Sequence, residues 1–227
     1  MKSEKSDPNL ELKKRVLCRN FYAYLLISFY SGFSSFSDIA TQFFFKDELK
    51  MQPGVLAQVS SITGIAWMLK PIFGLITDLV PIFGYRRKYY VILMSFIICY
   101  SFFMLSQHTK TLTEAVIFLF LTNVGASFST VIGEATVVEL TQLNQDVNKK
   151  ENNANEDETD SKDLVSSYFL IKYFGAMISS LFGGRLVDTI HTRNVFLISA
   201  GLPVLILVGG CLLIDYNVEK IETSNYL

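Results

Sequence analysis

An all-α membrane protein that crosses the bilayer six times is the fold class this sequence predicts, and three observations predict it. Half of the 227 residues are hydrophobic (50%) and only 18% are charged, against about 25% charged in an average soluble domain. The apolar residues come in runs long enough to cross a hydrocarbon core, which takes about 20 residues of helix, and not in the short periodic stretches of a soluble core. The basic residues crowd into alternate segments between those runs. That asymmetry is the signature of a multi-pass chain.

Each element follows in order. Residues 1–20 are polar and basic, with Lys13, Lys14, Arg15 and Arg19 directly before the first apolar run; they resemble neither a cleavable signal nor a transit peptide. The spans are expected at 21–45, 55–80, 89–106, 114–140, 164–184 and 195–214. Spans one to four thus occupy 21–140, and spans five and six occupy 164–214. Between them lies the segment 141–163, whose residues 142–163 read "QLNQDVNKKENNANEDETDSKD", with no apolar periodicity and many Asn, Asp and Glu; this composition predicts a disordered loop. Residues 215–227 form a polar tail.

Placing the N-terminus in the cytoplasm puts thirteen Lys and Arg residues in inside segments and five in outside segments. This bias predicts that both chain ends face the cytoplasm. The plasma membrane is the expected location, with an organellar membrane as the alternative. A net charge of −1 carries no nucleic-acid signal. Cys18, Cys99 and Cys211 are scattered and odd in number, and His108 and His191 lie far apart among polar residues. Neither a disulfide framework nor a metal site follows from such spacing. No metal-binding or nucleophile pattern appears, so no cofactor and no enzymatic activity are expected.

The charged residues inside the spans carry the functional expectation. An ionisable group in a bilayer costs several kcal/mol unless it meets a partner or a water-filled cavity. Asp38, Lys70 and Glu134 are expected to line such a cavity, with Thr130 four residues before Glu134 and therefore on its side of the helix. Glu139 and Lys172 are read as interfacial, their stems snorkelling toward the headgroups. Gly125, Ser129 and Gly133, and again Gly175, Ser179 and Gly183, form small-residue strips at four-residue spacing. Such strips let another helix backbone approach closely.

"WMLKPIFGLITDLVPIFGYRRKYY" (67–90) joins these themes. Lys70, Gly74 and Asp78 climb one helix at intervals of four, and Pro71 is tolerated where neighbours satisfy the freed carbonyl. Asp78 ends that helix opposite Arg86 and Arg87, so a carboxylate–guanidinium latch is expected there. Together with "FFFKDELKMQPGVL" (43–56) and "EATVVEL" (134–140), this stretch resembles the folate–biopterin transporter family of the major facilitator superfamily. The resemblance implies a major-facilitator-type bundle, of which 227 residues supply the N-terminal six-helix half. It also implies a small-molecule substrate, folate or a pteridine, moved by alternating access with proton coupling and held between two halves near the midplane. The missing wall would come from a second six-helix half or from a second copy of the chain. One departure from the family pattern is that Thr130 stands where a first acidic residue is expected before Glu134. The competing reading is a truncated, non-transporting membrane protein or interaction partner, or an incomplete gene model of a longer transporter.

Overall fold

The computed structural model describes residues 8–150 and 157–214. Among the described residues the secondary structure is helical, with no strand: α1 (Pro8–Phe33), α2 (Ser35–Phe43), a π-helical turn (Phe44–Glu48), α3 (Pro53–Met68), α4 (Lys70–Leu79), α5 (Lys88–Gln107), α6 (Leu112–Lys150), α7 (Asp157–Thr189), α8 (Thr192–Gly201) and α9 (Pro203–Leu212). Helices α1 and α2, α3 and α4, and α8 and α9 are each separated by a single residue that keeps right-handed helical dihedrals: Ser34, Leu69 and Leu202. These pairs are therefore bent rods. Two of the three bends coincide with a proline in the following turn, Pro71 and Pro203, whose missing N–H interrupts the helical ladder.

Five stretches are long and apolar enough to cross a membrane: Pro53–Leu79, Lys88–Gln107, Leu112–Gln145, Asp163–Val187 and Thr192–Leu212. The expected first span at 21–45 is not among them. Its apolar residues are interleaved with Tyr22, Tyr24, Ser28, Tyr30, Ser31, Ser34, Ser35 and Ser37, and these hydroxyls dilute its hydrophobicity. Several are satisfied inside the rod. Ser34 Oγ donates to the Ser31 carbonyl and Ser37 Oγ to the Ser34 carbonyl.

Two segment expectations change at their edges. Helix α1 begins at Pro8, inside the stretch expected to be a polar N-terminal segment. The 141–163 segment is helical on both flanks, since α6 runs on to Lys150 and α7 starts at Asp157. Residues 1–7, 151–156 and the tail from 215 onward lie outside the described residues.

The first rod is the hub of the bundle. Helix α1 packs against α6, α7 and α9, and α2 packs against α7 and α8. Helix α5 sits against α6, α8 and α9, while α3 and α4 lean on α6. Tyr24, Ile27, Phe44, Ile98, Ile132, Phe196 and Ile206 are fully buried between these elements. Helices α1 and α7 cross at close backbone distance. A side chain at Gly32 would collide with the Lys172 carbonyl, and one at Gly175 would lie 3.2 Å from the Phe29 carbonyl oxygen. Ser179 Oγ donates to the Phe33 carbonyl at 3.1 Å, and Gly183 sits against Ile39. On α6, Gly125 receives Ile98, and Gly133 receives Ile27 and Tyr168. Small residues are what allow this spacing.

Candidate functional site

Helix α4 starts at Lys70, immediately after the Leu69 bend. The bend turns the lysine back over Trp67, with Nζ 5.0 Å from the ring centroid. The same ammonium lies 3.4 Å from Glu134 Oε1, carried by α6. Lys172 of α7 approaches that same oxygen at 3.6 Å. Three rods thus meet at one carboxylate. Both distances exceed the ~2.7–2.9 Å of a tight charge-assisted hydrogen bond, so the lysines are gathered around Glu134 without being clamped to it. All three side chains remain partly exposed.

Next to this cluster is a cavity of about 490 Å³, lined by Tyr30, Asp38, Gln42, Thr63, Trp67, Phe102 and Asn123 among others. Trp67 belongs to both features, and its Nε1 donates to Asn123 Oδ1 at 2.8 Å. Asn123 in turn donates to the Leu119 carbonyl. Asp38 is exposed on the cavity wall. No hydrogen-bond or ion-pair partner holds its carboxylate among the described residues. Thr130 is placed differently from the expectation. It is 3% exposed and its hydroxyl donates to its own helix at Ala126, the usual back-bonding of a threonine in a helix. It therefore does not reach the surface on which Glu134 opens.

A second ion cluster forms where rods two and three join. Ile82 and Tyr85 exchange both backbone hydrogen bonds across Phe83 and Gly84, whose φ values are 52° and 77°. Glycine takes that left-handed backbone without strain. The tight turn, tied by Tyr90 Oη donating to the Val80 carbonyl, delivers Arg87 back under the end of α4. Its Nη2 donates to Asp78 Oδ1 at 3.1 Å, and its Nη1 lies 2.7 Å from Glu139 Oε2. Arg86 is exposed. At the other end of the bundle Arg193 Nε donates to Glu48 Oε2 at 2.8 Å and Nη2 to the Thr109 carbonyl at 3.0 Å. The π-helical turn sets Glu48 in that position.

Lys70 and Glu134 are thus brought into contact, Asp38 lies on the wall of the adjoining cavity, and Asp78 and Arg87 meet elsewhere. Sequence reasoning missed Lys172 and Glu139 as partners in these clusters, and Trp67 and Asn123 as shared wall. Lys172 was legible only through the depth of its helix. Trp67 was legible only through its three-residue spacing to Lys70, which stacks two side chains on one face.

The architecture is that of an α-helical polytopic membrane protein with ionisable side chains placed inside its membrane-length helices, positions where such groups are costly. The chain belongs to the BT1 family, whose model matches residues 31–225. It is 31% identical to "Folate transporter 1" of Plasmodium falciparum over 84% of this chain and 35% of that protein. It is 30% identical to "Folate-biopterin transporter" of Synechocystis over 90% of this chain and 40% of that protein. "Probable folate-biopterin transporter 4" of Arabidopsis thaliana is 27% identical over 84% of this chain and 37% of its own length. The chain therefore spans well under half the length of these relatives. No solved structure matches it.

Proposed function

We propose that this chain forms one half of a membrane transporter for folate, biopterin or a related pteridine, working by alternating access with proton coupling. The observation that carries the reading is the convergence of Lys70, Glu134 and Lys172 beside a polar cavity. Charged groups inside apolar rods are expensive unless they serve a solute or a partner. Names of relatives supply the solute class. Rods two and five also leave large apolar side chains uncovered, including Met68, Leu75 and Leu79 on one and Leu170, Tyr173 and Leu181 on the other. In a transporter of two halves those faces meet the second half, and the solute sits between. The Asp78–Arg87–Glu139 cluster then acts as the inner latch, formed when that side is closed.

The test is uptake of labelled folate and biopterin in a cell lacking its own folate transporter. The 227-residue chain is expected to give no uptake alone and to give uptake when a second six-helix half is co-expressed. Uptake by the chain alone, with crosslinked dimers and loss on Glu134→Gln, would replace the two-half reading with a working homodimer. Absence of uptake with every partner would favour a non-transporting membrane protein.

A further inference from the structure

Resting on the reading above, we propose that the site is divided, one part reading the pteridine ring and the other the glutamyl tail, with Glu134 holding the place of the substrate's own carboxylate. The ring part is the cavity. Asp38 stands on its wall with an unshared carboxylate, beside the aromatic surfaces of Tyr30 and Trp67. An ionised carboxylate offers only acceptors. The 2-amino-4-oxopyrimidine edge of a pterin presents two adjacent N–H donors, the forked pattern that pairs with a carboxylate through two parallel bonds. Flat rings stack on aromatic side chains in the same pocket.

The tail part is the pair of ammonium groups. Two lysines face one carboxylate at 3.4 and 3.6 Å. With all three ionised, the cluster keeps a net positive charge, and of the six N–H donors the two ammonium groups carry, Glu134 takes a hydrogen bond only from Lys70 among the described residues. A second carboxylate would satisfy them better than Glu134 does alone. The tail of folate ends in two carboxylates, whereas biopterin has none. Trp67 joins the parts, since it lines the cavity and lies under Lys70. The helix climbs about 10 Å from Thr63 on the cavity wall to Lys70, so the two parts are separated along the rod and suit a ligand with a spacer between its ends.

Equilibrium dialysis on the 227-residue chain in lipid nanodiscs tests this with three probes: biopterin (ring only), p-aminobenzoylglutamate (tail only) and folate (both). The double variant Lys70→Gln, Lys172→Gln is expected to weaken p-aminobenzoylglutamate and folate by about tenfold or more and to leave biopterin unchanged. Asp38→Asn is expected to do the opposite, weakening biopterin and leaving p-aminobenzoylglutamate alone. Glu134→Gln should strengthen the tail probe. Lys70→Arg with Lys172→Arg keeps the charge and should keep tail binding, which separates lost recognition from lost folding. Variants that weaken all three probes alike, or a Glu134→Gln that weakens the tail probe, would overturn the division while leaving folate-like binding in place. If the wild-type chain binds none of the three, the division falls, whereas the transporter reading is decided separately by uptake with the second six-helix half.

Discussion

Arg87 is a buried guanidinium that holds two carboxylates at once. Its own side chain is 9% exposed, while its partners Asp78 and Glu139 are 55% and 53% exposed. Removing it strands two carboxylates near each other, but solvent screens both, so the penalty is smaller than for a fully buried pair. Arg87→Ala is expected to lower stability by about 1–2 kcal/mol, read as a lower thermal midpoint in detergent. Arg86→Ala should leave the midpoint in place, because that neighbour is exposed. Equal effects from the two would show that loop charge, and not the Asp78–Arg87–Glu139 contact, is what matters. The sequence put Arg86 and Arg87 on the same footing; only the left-handed Phe83–Gly84 turn distinguishes them.

For the helices, apolar runs located the rods, but the ends were read too short. The apolar stretch of the expected fifth span begins at Asp163, which leaves Lys172 about 13 Å inside it and makes it look interfacial in the sequence. What spacing could not show is that Glu134 of α6 lies at the same level and meets it. Acidic and amide residues obscured the earlier start of α7 at Asp157 because polar composition reads as loop, whereas a helix extending past the apolar zone tolerates them. Thr130 shows the converse limit. Four-residue spacing predicts a shared face, yet a step of four drifts by about 40°, enough to turn one group inward and leave the other open. The glycine strips were legible because spacing alone defines them, although which partner they meet was not. Helix packing yields a contrast to check. Gly32→Ala should separate α1 from α7 and sharply reduce folded yield, since its methyl would meet the Lys172 backbone. Gly184→Ala, with nothing within 4 Å, should be neutral or stabilise the helix by up to about 1 kcal/mol. Purified yield and thermal midpoint of the two variants decide; equal losses would refute the close crossing.

For the whole molecule, the distribution of basic residues predicts an orientation that has a direct test. Thirteen of the basic residues fall on one side in the six-span reading and five on the other. Epitope tags at the N-terminus, within 141–163 and at the C-terminus are therefore expected to be reachable only from the cytoplasmic side. Labelling of any of the three on intact cells would overturn the six-crossing topology, including the first rod, whose hydropathy is the weakest. The close contact between Gly32 and the backbone of Lys172 also bears on how such a molecule moves. The residue that carries one of the two ammonium groups is, through its main chain, the fulcrum on which the first and fifth rods rest. Rods in contact at backbone distance have little slack to slide past one another, so under the proposed alternating access they are expected to swing together as one beam. The positive charge would then travel with the beam and keep its place relative to the first rod, while its distance to anything opposite changed with the full arc of the swing.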